Sequence, residues 1–320
     1  MPHRLLSGLL IVLFLSQVVR AEVDVQHLID QALAKGDRRL VLPSGVVRVA
    51  APADKRAYHL TLRGVKDFEI VGEKTTLVFS QPQVGGLLLI GCQNVAVRGV
   101  TLDWDPLPFT QGRIVKFDPD ARAIRLEVDP GFSDDPALFS QGCMALLYDP
   151  QTRLLKRKAW ELTGLSLARD GDRMITVKCK TSRQLKASGA AVGDLVALRA
   201  TGGDMGIRLV DCSQVTLDQV TLFTAPGMAI QEAGGEGKNT YHAVTVTRGP
   251  ARGNTERLLS SSADAIHSSG VRTGPTIRHC RLEYQGDDGI AIHGAYSLVV
   301  ASRDRTTLLV SPKYEMPFRP

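Results

Sequence analysis

Three aspartates have the type and spacing to act together. Asp264 lies in Ser262-Ala263-Asp264-Ala265-Ile266-His267, and the other two lie in Gly286-Asp287-Asp288-Gly289-Ile290-Ala291-Ile292-His293. Asp264-Ala265-Ile266 and Asp288-Gly289-Ile290 recur at an offset of 24, which Gly270 and Gly294 also keep. If the two segments stack in register, Asp264 lies beside Asp288 with Asp287 alongside. Carboxylates that close raise one another's pKa, so one of them holds a proton near neutral pH. A proton donor next to carboxylates that activate water is the requirement of glycoside hydrolysis. Ala263, Ala265, Gly286 and Gly289 are small enough to leave room for a sugar ring.

Two other readings of the same residues stay open. Asp-Asp-Gly is a common turn sequence, and acidic clusters on stacked β-rungs bind calcium in pectate-lyase-type enzymes. Such a lyase places a Lys or Arg base at its cleft. The nearest arginines here are Arg272, Arg278 and Arg281, of which the last two flank apolar strand positions. His267 and His293 each follow an isoleucine, so alternation turns both imidazoles to the side that carries the carboxylates. There they would bind sugar hydroxyls or stand as solvated surface histidines. Glu232, in Ala229-Ile230-Gln231-Glu232, belongs to the preceding rung and is a candidate acceptor in the same groove. Trp104 ends a strand and Trp160 sits between strands, so core or edge packing is expected of both rather than stacking on a sugar.

The elements that must position these groups come from a repeat. Residues 91–104 (GCQNVAVRGVTLDW) and 211–224 (DCSQVTLDQVTLFT) align without gaps at an offset of 120, with Cys, Val, Val, Thr and Leu coinciding. Residues 276–282 repeat the second half of the pattern. A period near two dozen, made of short strands between turns, marks a solenoid whose rungs bury their apolar sides on one another. The expected fold is all-β: a right-handed parallel β-helix. Val25, Leu28, Ile29, Ala32 and Leu33 share one helical face ahead of Gly36, which predicts an N-terminal cap helix over the first rung.

The offset of 120 contains an insertion. Between residues 105 and 200, alternating stretches such as Arg113–Phe117, Ala123–Val128 and Met174–Lys178 are joined by Asp-Pro and Asp-Gly turns. That is the pattern of antiparallel hairpins, so an inserted antiparallel, barrel-like β domain is expected. Removing those 96 residues leaves 24, one rung. The domain order is then residues 1–21 as an export signal, 22–104 as cap and first rungs, 105–200 as the insert, 201–294 as the rungs with the site, and 295–320 as the start of a further hairpin.

Composition excludes several classes. Apolar residues at 43% and charged residues at 22% describe a globular chain rather than a disordered or fibrous one. The formal charge of +6 falls to +4 without Arg4 and Arg20, and no Lys/Arg block gathers it, so nucleic acid is not an expected partner. Five cysteines with no CxxC spacing exclude a disulfide scaffold and a zinc cluster, and read as buried thiols. The run Leu5–Leu15 after His3-Arg4, followed by Val19-Arg20-Ala21, predicts a cleaved signal, a secreted or periplasmic protein and no stable membrane insertion. The run is short for the ~30 Å of a hydrocarbon core, although an anchor is the competing reading.

The two aspartate segments resemble those of the α-1,3-galactosidase family of β-helix glycoside hydrolases. Asp103-Trp104-Asp105-Pro106-Leu107-Pro108-Phe109-Thr110-Gln111-Gly112 is similar to the opening of that family's inserted barrel. The resemblance implies an exo-acting, inverting hydrolase that releases terminal α-linked galactose from a glycan without a cofactor or metal. It also implies Asp287 as general acid, with Asp264 and Asp288 positioning the water. Polygalacturonases share the three aspartates but carry a Gly-His-Gly and an Arg-x-Lys that this chain lacks, which lowers a uronic-acid substrate. Members of the galactosidase family continue with a second barrel and further rungs. Here 297–300 and 307–310 open a hairpin that stops at Pro320, so a fragment or a shortened fold is expected. A non-catalytic polysaccharide-binding β-helix and a calcium-dependent polysaccharide lyase are the alternatives.

Overall fold

The computed structural model describes residues 23–50, 52, 58–139, 142–294 and 297–312. The export-signal reading of residues 1–21 lies outside them, as do residues 313–320. The chain opens with the helix Val25–Lys35. Asp24 caps it by accepting from the His27 amide, and Gly36 closes it in the left-handed conformation at φ 75°. Val25, Ile29 and Ala32 are its buried stripe, packed on the first strands of the chain. Among the described residues no helix is long and apolar enough to cross a membrane.

From there the protein is mostly β. One parallel sheet stacks Tyr58–Arg63, Gly85–Ile90, Ile207–Val210, Ile230–Ala233, Ile266–Ser269 and Ile290–His293 in chain order. A second carries Arg39–Val41, Gly45–Val49, Lys66–Phe79, Gln93–Trp104 and the short strand pairs that follow Ile207–Val210, Ile230–Ala233 and Ile266–Ser269. The chain therefore passes through one sheet and then the other, and each pass lies on the one before. Leu60, Leu87, Ile207, Ile230, Ile266 and Ile290 fall in one column of partners. Ile70, Val97, Leu217, Tyr241 and Ile277 form the matching column opposite. The sequence alignment at offset 120 is the pairing register itself, with Leu217 on Val97 and Leu222 on Leu102.

The bends between strands recur in columns too. Asp67, Asn94, Gln214 and Lys238 share one bend with φ between 51° and 58°, and Gly99, Gln219, Ala243 and His279 share another. One left-handed residue turns the chain, and no β-branched side chain stands at these places because its crowding forbids that conformation.

Between Phe109 and Ala200 the chain leaves the stack and builds a seven-stranded antiparallel sheet. Its edge strands, Leu162–Thr163 and Ser166–Arg169, are separated only by Gly164 and Leu165. A link that short makes the sheet curl until its edges lie together. This sheet has its own core, including Ile114, Ile124, Leu126, Leu147 and Val177, which also takes in Leu258 and Leu259 from the stack.

Buried polar groups gather where the sheet leaves the stack, and one of them, Gln111, joins the two. Arg257 donates from Nη1 and Nη2 to the two oxygens of Asp103, both at 2.7 Å, and from Nε to the Pro250 carbonyl. Gln111, fully buried, accepts from the Leu258 amide at 2.7 Å and donates to the Glu256 carbonyl and Asp129. Arg257→Ala would leave the Asp103 carboxylate buried without its cation. The expected loss is about 3–5 kcal/mol, read as a lower urea midpoint. Unchanged stability would show that the bidentate pair does not hold the junction.

Candidate active site

The register between the last two strands of the first sheet places the aspartates. Ile266 pairs with Ile290 and His267 with Ala291. One step earlier, the Ala265 amide donates to the Asp288 carbonyl at 2.9 Å, so Asp264 and Asp288 hold equivalent places on successive passes. Gly286 makes the approach to Asp287 possible, since a Cβ there would sit 2.6 Å from the Ser262 carbonyl oxygen. Asp264 is buried, whereas Asp287 and Asp288 are exposed at the turn.

Asp287 feels the whole cluster. Partial loss of water contact pushes its carboxyl above the ordinary range, and the charges of Asp264, Glu161 and Asp288 push the same way. Arg199 opposes them. A carboxyl so placed keeps its proton longer than a free aspartate and can donate it.

A hydrogen-bonded chain runs from Asp264. Its Oδ2 lies 2.7 Å from His267 Nδ1, His267 Nε2 lies 3.0 Å from His293 Nε2, and His293 Nδ1 lies 2.9 Å from the Gly294 carbonyl. The two rings meet edge to face at 4.9 Å. The two rings thereby tie Asp264 to the next pass of the stack.

Glu232 is not in this groove. It is 1% exposed and faces the interior, in register with Ser268 and in the column of Leu209 and Leu89. Asn239 Nδ2 and Tyr241 Oη donate to its Oε2 at 2.7 and 2.8 Å, and Ser268 Oγ donates to Oε1 at 2.5 Å. A carboxylate saturated by three buried donors has nothing to offer a ligand, so Glu232 is corrected from groove acceptor to core anchor. Trp104 is fully buried, as expected, but Trp160 is 73% exposed rather than packed. Arg272 pairs with Glu236, Arg281 with Glu283, and Arg278 lies on the second sheet. Among the described residues no three His, Cys, Asp or Glu side chains are grouped to hold a metal ion.

The antiparallel sheet supplies the residues that sequence reasoning missed. In Leu195–Ala200 every residue is buried, and Arg199 is the one charge in it. Arg199 Nη2 meets Glu161 Oε1 at 3.3 Å. Ala197 pairs with Leu146 and Arg199 with Met144, so Leu146 and Arg199 share a face of the sheet. Leu146 reaches the stack, its Cδ1 lying 3.3 Å from where a Cβ on Gly286 would be. A lone arginine in an apolar strand was the available signal.

No family model matches the chain, and no curated protein matches it. Among solved structures it is similar to a provisionally assigned glycosyl hydrolase from Parabacteroides merdae, with 13% identity, 85% of each chain covered and a TM-score of 0.40. Another is the Gp54 tailspike of Acinetobacter baumannii bacteriophage AP22, seen with A. baumannii capsular saccharide. There the identity is 11%, the TM-score 0.24, and the match covers 81% of this chain and 48% of the tailspike. At those scores neither likeness carries an argument about activity.

The charges around Asp287 set the direction in which its titration moves. Asp264→Asn and Glu161→Gln each remove a neighbouring negative charge and are expected to lower its midpoint towards the ordinary aspartate range. Arg199→Met removes the opposing positive charge and is expected to raise it. Carboxyl-carbon NMR of Asp287 against pH reads all three, and shifts of the opposite sign would break the cluster as described.

Proposed function

We infer that the chain is an exported glycoside hydrolase, exo-acting and inverting, that releases terminal α-linked galactose from a glycan. The gathering of Asp264, Asp287 and Asp288, with Asp287 biased towards its protonated form, is the observation that supports this reading. In it, the parallel stack is a right-handed β-helix over residues 22–104 and 201–294, interrupted by the inserted domain 105–200 and preceded by the signal 1–21. The galactose assignment rests on the resemblance of the two aspartate segments and of residues 103–112.

Asp287 gives its proton to the glycosidic oxygen as the bond to the anomeric carbon breaks. Water attacks that carbon from the other face and gives its proton to Asp288, while Asp264, tied to His267, holds the water. The sugar leaves with inverted configuration, and the next turnover begins once Asp288 has returned its proton to solvent and Asp287 has regained one. His267 and His293, on the carboxylate side, reach ring hydroxyls in this reading only by opening the hydrogen bonds that now join them to each other and to Gly294.

Asp287→Asn is expected to cut hydrolysis of an α-1,3-linked galactose disaccharide by about 10²–10⁴-fold. A p-nitrophenyl α-galactoside should suffer less, because nitrophenolate departs without a proton. Proton NMR of the first product should show β-galactose. Undiminished turnover in the variant, or α-galactose as first product, overturns the reading. A wild-type protein that binds saccharide without cleaving it is instead a binding module. An ultraviolet-absorbing product lost on chelation is the mark of a calcium-dependent lyase.

A further inference from the structure

The buried arginine of the antiparallel sheet has a donor to spare. The Arg199 side chain is 8% exposed, and Glu161 takes one of its nitrogens. Its Nε is buried with no hydrogen-bond partner among the described residues. Buried donors are almost always satisfied, and the exceptions ask for an explanation. Arg199 is not out of reach of the acidic cluster, because the face that carries it also carries Leu146, which rests against Gly286, the residue before Asp287. Glu161 is 37% exposed, so the pair opens to solvent on its carboxylate side.

We propose that Arg199 and Glu161 form the sugar-orienting wall of the site and grip two neighbouring hydroxyls of the ring on which the three aspartates act. This rests on the hydrolase reading for the aspartates, and on the geometry of the insert for itself. A guanidinium donates to a hydroxyl oxygen while a carboxylate accepts a hydroxyl proton. The two side by side therefore match a vicinal diol, in which each hydroxyl both donates and accepts. The pair is neutral as a unit. Beside it stand Asp287, read here as the proton donor, and two further carboxylates, Asp264 and Asp288. The surplus of negative charge repels a ring that bears a carboxylate, so the diol belongs to a neutral sugar.

The test compares wild type with Glu161→Gln, Arg199→Lys and Arg199→Met on methyl α-galactoside and its 2-, 3- and 4-deoxy analogues. A site built around a hydroxyl rejects the analogue that lacks it. Wild type should discriminate against two adjacent deoxy positions by tenfold or more in kcat/KM. Each variant should raise KM for the parent and lose most of that discrimination, with Glu161→Gln, at an accessible position, keeping the test valid if Arg199→Met does not fold. Folded variants that keep wild-type ratios across all four substrates overturn the proposal. If wild type hydrolyses none of them, the hydrolase reading has failed by itself, and saturation-transfer NMR with free neutral monosaccharides decides this one. Binding by wild type that the variants lose supports the wall, whereas no binding by wild type overturns it.

Discussion

A single pass of this chain through its two parallel sheets has no interior of its own, so every pass must bury its apolar side on the next. That constraint fixes the register. Sliding one strand by a single residue would bring His267 inside and turn Ile266 out, and each buried isoleucine is worth about 1.5–3 kcal/mol. The column from Leu60 to Ile266 therefore locks the backbone on which Asp264 stands. Asp264 and Asp288 are neighbours because Ile266 and Ile290 are. The acidic cluster inherits its register from the core, its members standing in the turns that lead into the paired strands.

The same constraint lets the chain leave and return. After the antiparallel sheet, Ile207 pairs with Leu87 and Thr216 with Ala96, as if nothing intervened. What the register does not settle is where the excursion lies relative to the stack. Gln111 spans the two, and Asp103–Arg257 holds in place the segment of the stack that Gln111 grips. Buried ion pairs are poor sources of net stability, since the attraction only offsets the water given up, but a bidentate pair tolerates one orientation. The sheet that begins at Phe109 is thus tied to the stack, and the charge of Arg199 acts on Asp287, 88 residues away in sequence.

What could be read from the sequence is what repeats. The coincidence of residues 91–104 with 211–224 states the register before any coordinates exist, and the 24-residue offset between Asp264 and Asp288 states their contact. The helix Val25–Lys35 was legible because its stripe and its Gly36 stop are local. Glu232 was misplaced by taking its rung for its direction. Counting from Ile230 already turns Glu232 inward, and its donors Asn239, Tyr241 and Ser268 come from later passes. Trp160 lies outside any periodic stretch, so nothing in its neighbourhood predicted its exposure. The Arg199–Glu161 pair was missed for a different reason: no period links the insert to the stack, so the sequence did not tie the lone arginine to the aspartates.

The insert also bears on the acidity of Asp287. Among the causes that raise its carboxyl, loss of water comes first, ahead of the charges of Asp264, Glu161 and Asp288. The order has a physical sense. Arg199 pairs with Glu161 and acts on Asp287 against the three carboxylates, so the charges cancel in part. Shielding remains, and on the side of Gly286 the shield is Leu146 of the antiparallel sheet. The stack aligns the three aspartates, and the insert adds two opposed charges to the field on one of them, Glu161 raising the Asp287 carboxyl and Arg199 lowering it.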